Sequence, residues 1–140
     1  MREILFRGKR IDNGEWIEGS LSTEYYQNHG VVMISPSEDE NYKVDPSTVG
    51  QYTGMTDKND KKIFEGDIYT WKDDYGDYHA CLICFGEYFD EYSGKYATTA
   101  NGFYLKTLKG ETFNFAGSGY CEIEISGNIH DNPKLLEEQS

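Results

Sequence analysis

VGQYTGMTDKNDKKIFEGDIYTW, residues 49–71, decides how this chain is read, because three local signals follow one another within it. Thr48 to Gly54 alternates β-branched or aromatic residues with small and polar ones, as a strand does. Asp57-Lys58-Asn59-Asp60 supplies side chains that bond their own backbone in tight turns, which predicts a reversal near Asn59. Lys61 to Phe64 then leads into Glu65-Gly66-Asp67 and the apolar strand Ile68 to Trp71. Gly66 can take φ > 0 at that corner. Strands on both sides with no helical pattern between them give an architecture, and they give no chemistry.

Working outward, the same grammar repeats. Toward the N-terminus, strands are predicted near Ile4 to Lys9 and Glu15 to Ser22, joined by the Asn13-Gly14 pair that signals a two-residue hairpin turn. Tyr25 to Asn28 reads as a loop and Val31 to Ile34 as a short strand buried on both faces, followed by a solvated acidic loop from Ser37 to Asn41. Pro46 holds Asp45 extended on the way into the opening stretch. Toward the C-terminus, Lys72 to Asp77 is a turn rich in carboxylates, and Tyr78 to Phe85 is the most apolar run and the candidate central strand. Gly86 to Ala97 reads as a loop or irregular edge. Gly102 to Leu108 and Glu111 to Phe115 form a hairpin around Lys109-Gly110. Gly119 to Ser126 alternates, with Cys121, Ile123 and Ile125 on one face and Glu122 and Glu124 on the other. Asn132 as cap, Pro133 at the first helical position and Leu135-Leu136 predict one short C-terminal helix.

Composition agrees with a strand-rich chain. Twelve Tyr, seven Phe and two Trp favour sheets, and fifteen Gly against three Pro mark many turns. At 140 residues the chain can bury a core without disulfides or metal. Its net charge of −12 repels phosphate backbones, so no direct nucleic-acid binding is expected. The start lacks the apolar centre of a signal peptide and three cysteines are an odd number, which predicts a reduced, cytoplasmic protein. No apolar run approaches the ~20 residues that span a bilayer, so no membrane partner is expected.

Candidate chemistry is sparse. Cys81 and Cys84 have C-x-x-C spacing, yet residues three apart on a strand point to opposite faces, so no metal site is expected there. His29, His79 and His130 sit in no catalytic motif. Asp73, Asp74 and Asp77 lack the glycine position and closing glutamate of a calcium loop. No catalytic, cofactor-binding or metal residue is therefore assigned.

The chain resembles the YopX family of proteins encoded by bacteriophages and prophages. The resemblance is carried by Phe6-Arg7-Gly8-Lys9 with Trp16 and Gly19, and by a central block of Gly50, Gln51, Thr53, Gly54, Asp57 and Asn59 that runs on through Ile63-Phe64 to Glu65, Gly66, Asp67 and Ile68. Gly127, Asn128 and Ile129 with Asn132-Pro133 and Leu135-Leu136 form a third block. Asp60 stands where the family commonly has Gly. The resemblance implies a mainly β fold of antiparallel strands with an SH3-like small barrel in the later part, and no known activity. With the hairpin and helix signals above, residues 1–55 are expected to form an N-terminal β-hairpin region and residues 56–140 the barrel with the C-terminal helix. Gly66-Asp67 is then barrel-entry chemistry, with Asp67 bonding backbone donors, and the family residues are structural. The expected function is that of a non-enzymatic accessory protein working by protein contact in the host cytoplasm as a homo-oligomer, with a host or phage protein as possible partner. An enzyme acting on a small substrate and an acidic mimic of DNA are the alternatives. A pocket gathering His79 or His130 with two carboxylates would favour the enzyme.

Overall fold

Alternating short apolar runs give eleven strands among residues 4–26, 29–89, 99–114 and 123–137, the residues described by a computed structural model. No α-helix occurs among them. The chain divides into two units, 1–54 and 55–140.

The first unit holds β1 (Phe6–Lys9), β2 (Trp16–Tyr26), β3 (His29–Ser37), β4 (Glu40–Lys43) and the start of β5 (Gly50–Thr56), hydrogen-bonded in the order β4-β3-β2-β1-β5. β1 lies between antiparallel neighbours, with Phe6 opposite Gly19 on one side and Gln51 on the other. The β1–β2 connection is longer than the two-residue turn expected at Asn13-Gly14. Arg10 donates its N–H to Glu15 at 2.9 Å and its carbonyl accepts from Gly14 at 2.9 Å, so Ile11 to Gly14 form the loop. The reason is that the Asn13 side chain accepts from the Glu15 N–H, leaving Gly14 at φ +73° to make the left-handed step. Two further expectations are corrected. The acidic loop ends early, since Glu40 already belongs to β4. Of Val31 to Ile34 only Ile34 is fully buried, because it alone of the four packs over Gly8 beside Val44.

The second unit holds β6 (Lys62–Phe64), β7 (Asp67–Lys72), β8 (Tyr78–Phe89), β9 (Thr99–Thr107), β10 (Thr112–Asn114) and β11 (Ile125–Asn128). The last five form an antiparallel sheet in the order β10-β9-β8-β7-β11. Among the described residues the sheet stays open and no closed barrel is detected; its outer strands, three and four residues long, offer few ladder positions for closure. Ile63, Ile83 and Ile125 make the core, with Tyr69, Leu105 and Ile123 packed against it. β8 runs on to Phe89, beyond the end expected at Phe85; the rest of the loop expected to reach Ala97, like Cys121 and Glu122, lies outside the described residues.

Three turns of this unit share one design. Asp57, Asp73 and Thr107 each donate their N–H to the residue four positions on, at 2.8, 3.0 and 2.9 Å, across a loop of three residues. The third loop residue is left-handed every time: Asp60 at φ +62°, Gly76 at +83° and Gly110 at +87°. Asp60 is the one described residue other than glycine with positive φ, at the position where the resemblance led glycine to be expected.

The C-terminal element is a 3-10 turn, Pro133–Leu136, in place of the expected helix. Asn132 makes no side-chain cap there. Its side-chain oxygen turns back to accept from the Asn128 N–H at 3.2 Å, and Glu137 is already extended. Tyr78 ties the turn down by donating to the Leu135 carbonyl at 2.6 Å.

Candidate functional site

The central family block builds corners. Gly50 and Gln51 pair with Arg7 and Phe6 of β1, and Thr53 is buried two residues on. Gly54, at φ +87°, ends the first unit. Asp57 is 1 % exposed, yet its carboxylate is fully engaged. One oxygen accepts from the N–H groups of Asn59 and Lys61 at 2.8 and 3.0 Å, and the other accepts from Ile125 at 3.1 Å. Burial pushes its pKa up, but the three backbone donors outweigh burial and hold it below the ordinary carboxylate value.

Asp67, also 1 % exposed, accepts from the Phe64 N–H at 2.8 Å across Glu65-Gly66, and Gly66 at φ +94° turns the corner. The Gly66 N–H reaches the Ile83 carbonyl at 2.8 Å, and its own carbonyl accepts from Ile129 at 2.9 Å. The third block closes on itself: Asn128 accepts from His130 and Asp131 at 3.0 and 2.9 Å. A β-carbon at Gly127 would run into the Asn132 side chain. None of these residues lines the groove formed by β7 to β10.

The candidate site comes instead from register. With Trp71 opposite His79 and Tyr69 opposite Cys81, the odd-numbered residues of β7 and β8 share a face with Leu105 and Thr107 of β9 and Phe113 of β10. The middle of that face is the isoleucine core. Its end toward Trp71 opens into a groove of about 720 Å³. Tyr69 stacks on Trp71 at 4.6 Å between centroids and 15° between planes, and Trp71 stacks on His79 at 4.9 Å and 16°. Trp71 remains 36 % exposed. Leu105, Leu108 and Phe113 line the groove, and Asp77, Lys109 and Glu111 add charge to it.

His79 is held on two sides. Its ring rests on Trp71, and Nε2 lies 2.9 Å from the Asp73 carboxylate. The hydrogen bond to His79 is the main cause holding the Asp73 pKa below its ordinary value, helped by the backbone N–H of Asp77. Of the groove's possible nucleophiles, burial pushes the Cys81 thiol up to about 11, so thiolate is scarce at neutral pH, and the Thr107 hydroxyl accepts from the Glu111 N–H at 3.1 Å. Cys84 lies on the opposite face, opposite Tyr104. Among the described residues no cluster of three or more His, Cys, Asp or Glu is placed to hold a metal ion.

His79 and the aromatic residues thus meet in one place, while His130 belongs to the turn after β11 and His29 to β3 of the other unit. Sequence reading missed the Trp71–His79 pairing. The signal was present in the Asp73–Asp77 turn, since a three-residue loop closing on Asp73 and Asp77 puts Trp71 opposite His79 by counting.

A family model described as YopX protein matches residues 5–137. No curated protein matches the chain.

Proposed function

The chain belongs to the YopX family, and from that premise we propose that it is a phage- or prophage-encoded accessory protein that acts by protein contact in the host cytoplasm, without catalysis. The groove beside Trp71 is its contact face. One observation carries this reading: an aromatic stack, partly exposed, stands at one end of a sheet face whose middle is the isoleucine core, with Leu105, Leu108 and Phe113 lining the groove around it. Aromatic anchors in concave, partly apolar surroundings are what protein contacts use most. Affinity purification from host cells tests it. Trp71→Ala should release a host or phage protein that the parent chain retains, at unchanged melting temperature; identical retention by both chains would remove the groove from the interface.

Self-association belongs to the same reading. Val31, Val32 and Met33 are half-buried and Leu21, paired with Ile34, is 37 % exposed, so the first unit has apolar surface for a second copy to cover. Light scattering at moderate salt should give more than the monomer mass of 16.1 kDa. A strictly monomeric mass ends that part of the reading.

One observation favours the alternative of an enzyme on a small substrate, namely that His79, Asp77 and Glu111 line one groove. It predicts that His79→Gln abolishes function while partner retention persists. Contact-based function predicts that the two are lost together or kept together.

A further inference from the structure

The groove combines flat aromatic faces with carboxylates on a chain of net charge −12. Asp77 and Glu111 are exposed in it, Asp73 stands behind His79, and Lys109 is the single lysine or arginine among the lining residues. An aromatic face attracts a cation through the negative potential of its ring, tryptophan most strongly. A neighbouring carboxylate adds charge-assisted hydrogen bonds. An acidic segment would meet like charge in the groove and across the molecule. A purely apolar one would cover Trp71 and Phe113 while stripping water from Asp77 and Glu111 with nothing in return.

Resting on the reading of the groove as a contact face, we infer that the protein partner presents a basic side chain to it. Arginine suits it best: its guanidinium combines a cation's attraction to the exposed part of the Tyr69–Trp71–His79 stack with N–H donors for the carboxylates of Asp77 and Glu111 that line the same groove.

Trp16→Phe leaves Trp71 as the single tryptophan, so its emission reports on the groove. If Trp16→Phe lowers stability, calorimetry on the parent chain gives the same comparison. Three short peptides serve as probes, alternating serine with arginine, with glutamine or with glutamate. The arginine peptide should change Trp71 emission saturably and release with added salt, while the glutamate peptide leaves it untouched. Asp77→Asn with Glu111→Gln should weaken the arginine peptide about tenfold. Glu38→Gln with Asp39→Asn changes the net charge equally at a hairpin of the first unit whose residues do not line the groove, and should leave the affinity alone. Equal weakening by both pairs reduces the binding to bulk charge and overturns the inference. Equal affinity for the glutamine peptide also overturns it, while leaving the contact face standing. Silence with all three peptides overturns it too, and the contact face is then decided by the Trp71→Ala retention experiment alone.

Discussion

Two turns of the second unit have the same backbone and opposite fates. In each, an aspartate accepts from the residues two and four positions on with one oxygen, at 2.8 and 3.0 Å for Asp57 and 2.9 and 3.0 Å for Asp73. They differ in the second oxygen. That of Asp57 takes the Ile125 N–H and anchors the approach to β11, whereas that of Asp73 meets the partly exposed His79 at the groove. One local device thus serves as a long-range clamp where it is buried and as a support for a surface ring where it is wet. Burial decides which of the two roles costs stability when it is removed.

The largest effect should come from the buried turn. Asp57→Ala strands three backbone donors, one of them on the strand that completes the core, and should lower unfolding free energy by about 3 kcal/mol. Urea denaturation measures it; a loss near zero would break the comparison at its root. The same residue sets an acid limit. Its folded pKa is depressed, so its contribution is complete above the ordinary value of 3.8 and is lost as pH falls from there through the lower folded value. The parent chain should therefore lose stability below about pH 4 more steeply than Asp57→Asn, as thermal melts across that range would show.

Asp67→Ala comes next, at roughly 1 to 2 kcal/mol, the scale of a side-chain bond to buried backbone. Unchanged melting would sink that assignment. Asp60→Gly should stabilise by roughly 0.5 to 1 kcal/mol, since a left-handed aspartate carries strain that glycine does not. Gly76→Asp in the other turn should cost a similar amount, and a pair of melts checks both. The smallest change in melting is expected for Asp73→Ala on the exposed turn. Its signature is optical: His79 loses its carboxylate partner and Trp71 emission shifts. An Asp73→Ala chain as destabilised as Asp57→Ala would erase the distinction between the two turns.

What sequence could and could not supply follows from the range of each interaction. The reversal near Asn59, the Gly66 corner and the β9–β10 hairpin rest on neighbours in the chain, so their residue types announce them. Asp60 was visible as a departure, and its φ of +62° gives that departure a physical meaning. The tail was misread because Asn132 and Pro133 look like a helix start. A cap side chain is worth a helix only if it bonds forward, and Asn132 bonds back to Asn128. The barrel was expected from resemblance, and its closure depends on strand edges that no local pattern specifies. The groove stayed hidden for a related reason: Leu105 and Phe113 meet the Trp71 face through register across three strand pairs. Only its first step, Trp71 to His79, was countable from the chain.

The bond from Ile125 to Asp57 spans 68 positions, and it gives the second unit an order of assembly. The strands from β7 to β10 pair each with the next, so the run can zip up locally while the polypeptide is still being made. β11 has to return across that entire run to reach β7, and closing so long a loop is slow and entropically costly. Until then Asp57 remains hydrated, and Ile63 and Ile83 lack the third member of their cluster. A ribosome stalled before Ile125 would therefore present an unfinished apolar face, which marks the incomplete product for chaperones and proteases.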